Sequence, residues 1–303
     1  MNMTHQQFEV LVTFTQKKEK YAQRDIAKQL DVSLGVVNKA IQELHELGYL
    51  EVLGKSKYEI TAKGYEALAP YKVKRAIFMA AGFGSRMVPV TLNTPKPLIK
   101  VKGERIIDTL LDAVLAAGIE DITIVRGYLK EQFDTLLTKY PMITFIDNDF
   151  YNEANNISSA FLAKDIMQNA YVLESDLVLY NPDIIRAYEY DSNYLGKKVD
   201  VTDDWCFYSK KGIITELAVG GKNCHHMYGI SYWSESDGKQ LANDIQSVYQ
   251  SPGGKEKYWD EVALRECLDH YKVHIKPVHE GDIIEIDTFK ELCDIDPAYK
   301  VVS

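Results

Sequence analysis

The sequence predicts an α/β protein in which a mixed, mainly parallel β-sheet is flanked by helices and preceded by a small helical domain. Three observations support this prediction. Apolar residues recur at helical spacing before residue 70, strand and helix patterns alternate after it, and a glycine-rich segment directly follows the first apolar strand of the second part. With 303 residues, 46% of them hydrophobic, the chain is long enough for two domains.

Composition and charge limit the classes of protein to consider. The formal net charge of −9 disfavours broad binding to nucleic acid, because phosphate contacts require clustered Lys and Arg. Residues 1–10 show no signal-peptide pattern, and no run approaches the roughly 18 apolar residues of a membrane helix. The four cysteines are far apart without a CxxC pair, which fits a reducing compartment. We therefore expect a cytoplasmic protein with no membrane partner.

The first domain is predicted to span residues 1–70. Helix patterns cover residues 4–15 and 23–30, and a third helix begins after Ser33, which is a good N-cap. Residues 49–61 then predict a β-hairpin with a basic, glycine-containing turn. The third helix carries one apolar stripe, formed by Val36, Val37, Ala40, Ile41 and Leu44.

Residues 5–68 resemble the winged-helix domains of bacterial regulators related to the multiple-antibiotic-resistance repressors. The resemblance implies that the third helix enters the DNA major groove. The residues that would then contact DNA are Ser33, Asn38, Lys39, Gln42, Lys55 and Lys57. Residues 1–70 contain nine Lys or Arg and nine Asp or Glu, so an equal alternative is a winged helix used for dimerisation or packing. Winged helices often dimerise, and a homodimer is therefore also predicted.

The second domain is predicted to span residues 71–303 and to contain repeated βα units. Such units imply a mainly parallel sheet whose ligand lies at the carboxyl ends of the strands. The predicted strands are residues 75–80, 121–125, 142–146 and 170–173, and the predicted helices are residues 106–117, 131–140 and 158–167.

The strongest motif is a glycine-rich loop after the first strand of this domain, AAGFGSRMVPVT, followed by TPKPL. Gly82 and Gly84 allow backbone N–H groups to approach a phosphate, and Arg86 adds a forked cation. Lys96 supplies a point charge for a second phosphate. The loop lacks the GxxxxGK[ST] of a P-loop and the complete GxGxxG of a dinucleotide-binding fold.

These residues match AAGxGxRxxPxTxxxPKPL, and the chain therefore resembles the sugar-nucleotide pyrophosphorylase superfamily. Met87 replaces the usual Leu. The resemblance implies a Rossmann-like nucleotidyltransferase fold, in which Lys96 contacts the phosphates near the reacting centre. It also implies that a nucleoside triphosphate is held by Ala80, Ala81, Gly82, Gly84, Ser85 and Arg86.

Acidic residues follow two further strands. The strand at 171–173 leads into Glu174-Ser175-Asp176, and the alternation of residues 282–287 places Glu285 and Asp287 on one face of a strand. Magnesium prefers carboxylates together with phosphate oxygens. The superfamily resemblance implies that Asp176, Glu285 and Asp287 bind Mg²⁺, whereas Glu174 stands where relatives often have Asp and has no assigned role. The alternative for each acidic residue is a solvated turn.

Aromatic and acidic residues alternate in the second half of the chain. A quaternary ammonium group is recognised by aromatic faces and nearby carboxylates, whereas a sugar phosphate needs many hydroxyl partners. The aromatic residues are Trp205, Tyr208, Tyr228, Tyr232, Trp233, Tyr258 and Trp259. Some of them, Trp233 above all, are alternatively explained as core residues.

Residues 73–295 resemble the bacterial CTP:phosphocholine cytidylyltransferases, through Gly127 to Phe133, Asn155-Asn156, Asp204-Trp205, Tyr258-Trp259-Asp260 and Glu285-Ile286-Asp287. The resemblance implies a choline cage of Trp205 and Tyr258 with Asp260 beside it. It also implies Tyr128 near the nucleotide and Asn156 among the substrate-binding residues.

The predicted reaction is transfer of CMP from CTP to phosphocholine, giving CDP-choline and pyrophosphate, with Arg86, Lys96 and Asp176 as the catalytic residues. One alternative is a sugar-1-phosphate acceptor with UTP or another nucleotide. Another is a DNA-binding regulator whose larger domain senses nucleotide or phosphocholine without turnover. Residues 223–226, Asn-Cys-His-His, are interpreted as a polar loop, with metal binding as the minor alternative.

Overall fold

The computed structural model describes residues 3–16, 22–54 and 57–300, and the chain divides into two compact units, residues 1–72 and 73–303. The first unit combines short helices with one antiparallel hairpin, in which Leu50 lies opposite Ile60. Its elements in chain order are α1 (His5–Thr13), α2 (Gln23–Gln29), α3 (Leu34–Glu46), β1 (Leu50–Gly54), β2 (Lys57–Ile60) and α4 (Ala62–Leu68).

Side-chain caps and an apolar stripe define the helices of this unit. The hydroxyl of Thr4 accepts from the Gln7 amide, and the Ser33 hydroxyl accepts from the Val36 amide at 3.4 Å, so the predicted N-cap of α3 is confirmed. The α3 stripe faces the core as its spacing predicts, except that Val36 is only half-buried. Its buried members are Val37, Ala40, Ile41 and Leu44.

The residues predicted to contact DNA have no buried role in this unit. Ser33, Asn38, Lys39 and Gln42 are exposed on or next to α3, and Lys57 is exposed on β2, whereas Lys55 lies outside the described residues. Neither the winged-helix assignment nor DNA binding is tested by these positions, and both stay predictions.

The second unit is built around a seven-stranded sheet with strand order β10, β12, β11, β8, β3, β6, β7. Strand β3 is parallel to β6 and β8, and β6 is parallel to β7, whereas β11 is antiparallel to β8. The predicted mainly parallel sheet is therefore confirmed, with an antiparallel hairpin added at one side. The strands are β3 (Arg75–Ala80), β4 (Lys100–Val101), β5 (Glu104–Arg105), β6 (Asp121–Arg126), β7 (Ile143–Asp147), β8 (Ala170–Glu174), β9 (Leu177–Leu179), β10 (Asn193–Lys210), β11 (Ile213–Trp233), β12 (His274–Pro277) and β13 (Ile283–Glu285).

Helices cover both faces of this sheet, and each face has its own core. Because side chains alternate along a strand, Phe78 of β3 enters one core while Ile77 and Met79 enter the other. Trp233 is fully buried in the second core, as expected for a core residue. The helices are α5 (Ile106–Ala116), α6 (Ile157–Ala163), α7 (Glu235–Gln250), α8 (Trp259–Glu261) and α9 (Phe289–Ile295).

One prediction of local structure is confirmed in part and another is wrong. The segment predicted as a helix at 131–140 is helical over Lys130–Thr138, but as a 3₁₀ helix, and Leu129 before it is in the left-handed conformation (φ 47°). Residues 223–226 are not a loop but lie within β11, where Cys224 and His226 pair with β10. Among the described helices, none has the length and apolar character needed to cross a bilayer.

Candidate active site

The glycine-rich loop leaves the carboxyl end of β3 and turns sharply at Gly84. This residue has φ of 68°, and a Cβ added to it would lie 3.2 Å from the Lys96 Cβ and 3.2 Å from a Thr91 methyl group. The Thr91 hydroxyl donates to the Gly84 carbonyl at 3.0 Å. Only glycine fits here without strain, so the loop holds the backbone close to Lys96.

A first cleft, of about 200 Å³, lies between the glycine loop and the start of α6. The buried Asn148 amide donates to the hydroxyls of Ser158 and Ser159 and fixes one wall of this cleft. Apolar and polar side chains both line the space, a mixture that is usual for a small-molecule site. Its lining residues are Met79, Ala81, Gly82, Asn148, Tyr151, Ala154, Asn155, Asn156, Ser158, Ser159 and Glu174.

Tyr128 supports the glycine loop but does not line the first cleft. Its ring packs edge-on against Phe83 at 4.7 Å, and its hydroxyl donates to the Leu92 carbonyl at 3.2 Å. Its backbone N–H donates to the Ala81 carbonyl at 3.0 Å. Tyr128 is thus placed to hold the loop that would carry the nucleotide.

Lys96 connects the glycine loop with the predicted acidic residues. Its Nζ lies 2.9 Å from Asp176 Oδ2 and 2.8 Å from Asp287 Oδ1. Burial lowers the pKa of Lys96, but the two carboxylates outweigh this effect and the net pKa is raised. The ammonium group is therefore charged at neutral pH. Arg86 lies 3.0 Å from the same Asp287 oxygen, so the two predicted halves of the site meet.

Short antiparallel pairing brings the acidic residues together from distant parts of the chain. Strand β13 pairs with β9, where Glu285 lies opposite Leu177, and the Ile286 amide donates to the Asp176 carbonyl at 3.1 Å. Oxygen atoms of Asp176, Glu285 and Asp287 consequently lie within 4.8 Å of one another. We refer to these three residues as the carboxylate cluster.

The carboxylate cluster fits a hard divalent cation. Asp176 Oδ1 is buried without a hydrogen-bond partner among the described residues, which leaves an acceptor atom for a ligand. Burial, together with Asp176 and Asp287, raises the pKa of Glu285 well above its ordinary value. A bound cation would offset this repulsion, and an all-oxygen donor set is what Mg²⁺ prefers.

A second cleft, of about 330 Å³, joins the carboxylate cluster to the predicted acceptor residues. The rings of Trp205 and Tyr258 meet edge to face at 5.6 Å, and Tyr258 is 43% exposed. The second cleft carries six carboxylates and one arginine. Its lining residues are Arg86, Asn156, Glu174, Asp176, Asp204, Trp205, Met227, Gly229, Tyr258, Asp260, Glu285 and Asp287.

Two residues of the acceptor region escaped the sequence analysis. The Arg265 guanidinium lies 5.4 Å from the centre of the Trp205 ring and covers part of that aromatic surface. The Tyr194 hydroxyl donates to the buried Asp260 carboxylate. Burial raises the pKa of Asp260 to about 7, although the Tyr194 hydrogen bond acts in the opposite direction. Neither residue belongs to a local motif, so only the tertiary contact reveals it.

Glu174, which had no predicted role, lines both clefts. Its Oε1 accepts from the Asn156 amide at 3.3 Å and from the Trp259 indole N–H at 3.1 Å. Burial and the nearby Asp260 and Asp176 raise the pKa of Glu174 well above its ordinary value. Gly229 makes room for it, since an added Cβ there would lie 2.4 Å from Glu174 Cγ.

Asn156 belongs to the same hydrogen-bond network as Glu174 and Trp259. Besides its contact with Glu174, its side-chain oxygen accepts from the Trp259 backbone N–H at 2.9 Å. The amide nevertheless borders both clefts. Asn156 therefore lies where the two clefts adjoin, and its predicted role in substrate binding stays a prediction.

Comparison with known proteins agrees with this arrangement. The family described as Nucleotidyl transferase matches residues 75–194. A 2-aminoethylphosphonate cytidylyltransferase of Lancefieldella rimae is 39% identical over 228 residues, covering 74% of this chain and 92% of that protein. The chain therefore belongs to the nucleotidyltransferase family.

Cytidylyltransferases are prominent among its relatives. A choline-phosphate cytidylyltransferase of Streptococcus pneumoniae is 32% identical over 222 residues, covering 72% of this chain and 94% of that protein. A solved structure of CTP:phosphocholine cytidylyltransferase from Streptococcus pneumoniae has 30% identity and a TM-score of 0.69, covering 76% of this chain and all of the other.

Proposed function

We propose that the protein transfers CMP from CTP to a small phosphate or phosphonate that carries a positively charged amino group. The observation that supports this proposal is the pair of Trp205 and Tyr258 rings in the second cleft, which the Asp204 carboxyl group also lines. Such a cleft attracts a cation and disfavours an acceptor that is only anionic.

The reaction requires no protein nucleophile. An oxygen of the acceptor phosphate or phosphonate attacks the α-phosphorus of CTP, a new O–P bond forms, and the bond to the β-phosphate oxygen breaks with its electron pair leaving on pyrophosphate. Arg86 and Lys96 lie where they can hold the triphosphate and the developing charge. Mg²⁺ held by the carboxylate cluster would supply further charge neutralisation when bound.

Two acceptors satisfy this description. Phosphocholine is supported by the Trp205 and Tyr258 pair, because a trimethylammonium group interacts with aromatic faces. The compound 2-aminoethylphosphonate is supported by the 39% identity to an enzyme named for it, and its primary ammonium can donate to carboxylates such as Asp260 and Asp204.

Release of pyrophosphate from purified full-length protein tests the proposal. Phosphocholine, 2-aminoethylphosphonate and a sugar 1-phosphate should each be paired with CTP and with UTP, with and without Mg²⁺. We expect release only with CTP, an amino-bearing acceptor and Mg²⁺. Release of pyrophosphate with the sugar 1-phosphate would show that the proposed acceptor class is wrong. Binding of nucleotide without release of pyrophosphate would favour a nucleotide sensor.

We further propose that residues 1–70 form a winged helix that binds DNA. The support is the exposed polar surface of α3, with Asn38, Lys39 and Gln42. A gel shift with the gene's own upstream DNA should give a specific complex that weakens as salt rises. Lys39→Ala should weaken it while leaving pyrophosphate release unchanged, and absence of any specific complex would remove this proposal.

A further inference from the structure

A second group of potential metal ligands lies beside the carboxylate cluster. It consists of Asp204 from β10, His226 from β11 and Glu285 from β13, whose ligand atoms lie within 4.8 Å of one another. Glu285 belongs to both groups. We refer to Asp204, His226 and Glu285 as the imidazole cluster, because a ring nitrogen distinguishes its donor set from three carboxylates.

The surroundings of His226 leave one ring nitrogen for a ligand. Its Nδ1 lies 3.2 Å from the Thr202 hydroxyl, and its ring packs edge-on against Tyr228 at 5.0 Å. In the tautomer whose Nδ1–H donates to Thr202, Nε2 presents its lone pair. In metal-binding histidines, the ring nitrogen that does not bind the metal commonly donates a hydrogen bond, which fixes the orientation of the ring.

Among the described residues, neither acid of the imidazole cluster forms an ion pair with a Lys or Arg side chain. Lys96 and Arg86 contact Asp176 and Asp287, and among the described residues no side chain donates a hydrogen bond to the Glu285 carboxylate. Asp204 accepts a local hydrogen bond from the Trp205 amide at 2.7 Å. Within the described part of the chain, Asp204 thus offers an acceptor group beside His226 that no Lys or Arg side chain pairs with.

We propose that the imidazole cluster is a second divalent-cation site, selective for first-row transition metals such as Mn²⁺ over Mg²⁺. Imidazole nitrogen binds these metals more strongly than it binds Mg²⁺, for which carboxylate and water oxygens are preferred. The site goes beyond the proposed transfer reaction and does not depend on it, since it requires neither nucleotide nor acceptor.

Titration of full-length protein with Mn²⁺ in excess Mg²⁺, without substrates, tests this site through the electron paramagnetic resonance signal of free Mn²⁺. The wild type should retain one Mn²⁺ site that Mg²⁺ does not displace. Loss of supporting contacts around a metal already costs about 10- to 100-fold in affinity, so His226→Ala should weaken Mn²⁺ binding at least about tenfold.

His225→Ala is the matched control. His225 precedes His226 on β11 and points to the opposite face of the strand, where its Nδ1 has no hydrogen-bond partner among the described residues. The His225→Ala variant should bind Mn²⁺ like the wild type. The Asp204→Asn variant should lose the Mn²⁺ site, as His226→Ala does. The proposal is overturned if excess Mg²⁺ abolishes Mn²⁺ binding to the wild type, or if His226→Ala binds Mn²⁺ normally.

Discussion

At the scale of single residues, Lys96 connects the glycine-rich loop to the carboxylate cluster. Lys96 is almost fully buried, yet two carboxylates keep it charged, one from the turn between β8 and β9 and the other from the segment after β13. Triphosphate oxygens would compete with these carboxylates for the same ammonium group. In the proposed reaction, binding of nucleotide at Lys96 Nζ would therefore free both carboxylates to bind a cation.

Lys96→Met should remove this charge while keeping much of the side-chain volume. We expect kcat to fall by about 100-fold or more, because a preorganised charge near the transferred phosphorus is lost. Lys100→Met, four residues further on at an exposed position, is the control and should retain activity. Near-normal turnover of Lys96→Met, measured by pyrophosphate release, would contradict the assigned role.

Asp260 should make stability depend on pH. Its pKa in the folded state is raised to about 7, so between about pH 4 and pH 7 the folded chain holds a proton that the unfolded chain has released. The free energy of unfolding should fall as pH rises through this window. Urea unfolding of Asp260→Asn, which can still accept from Tyr194, should show a shallower fall than the wild type; equal slopes would refute the shifted pKa.

At the scale of elements, the site depends on where strands end. Strand β3 delivers the glycine loop, β8 delivers Glu174, and the β9–β13 pair delivers the carboxylate cluster. Parallel strands place their carboxyl ends at one edge of the sheet, so the sequence alone predicted the edge at which the candidate site residues gather. The antiparallel β11 adds Gly229, whose lack of a side chain admits Glu174.

Gly229→Ala should disturb the contact between β11 and β8. The new methyl group would overlap Glu174, and overpacking of this kind costs about 1–3 kcal/mol. We expect a lower melting temperature and reduced turnover. Gly35→Ala is the control, because an added Cβ in α3 meets only the Ser33 hydroxyl oxygen at 3.8 Å. Equal melting temperatures for the wild type and Gly229→Ala would contradict the predicted overlap.

Local patterns in the sequence predicted most elements but not the contacts between distant ones. Motif spacing predicted the loop from Gly82 to Lys96, and apolar periodicity predicted β3 and α5. Phe133 and Leu136, three residues apart, fit a 3₁₀ helix as well as an α-helix, so periodicity could not distinguish the two. The polar residues before Met227 lack the apolar pattern of a buried strand, because one face of β11 borders the second cleft instead of the core. The sequence analysis therefore missed this part of β11.

Local patterns could not predict which side chains distant in the sequence contact one another. That Arg265 lies over Trp205, and that Tyr194 bonds to Asp260, depends on how β10 packs against α8 and the segment that follows it. The carboxylate cluster was expected only through resemblance, because no local rule connects Asp176 with a strand more than 100 residues later in the chain.

At the scale of the whole molecule, the residues proposed for transfer all belong to the second unit. The family match at 75–194 begins with β3, and both clefts are lined only by residues beyond 73. The start of this unit is anchored by the Val73 amide, which donates to the Ala187 carbonyl, and by the Lys74 amide, which donates to the Asn169 carbonyl.

A fragment of residues 73–303 should therefore fold and keep about the same kcat as the full chain. It retains both cores of the sheet and every lining residue of the two clefts. Circular dichroism and pyrophosphate release would measure folding and turnover. A folded but inactive fragment would show that residues 1–72 contribute to catalysis, and an insoluble one would contradict its expected independent folding. The only difference that we expect from the full chain is loss of the DNA complex.

The pairing of β13 with β9 also determines at which stage of chain synthesis the candidate site can form. Translation must pass Asp287 before Lys96 finds its second carboxylate, so a nascent chain that already carries the glycine loop and Asp176 still lacks a complete centre. Under the proposed mechanism, any truncation before β13 is expected to lack turnover, because such a chain carries neither Glu285 nor Asp287.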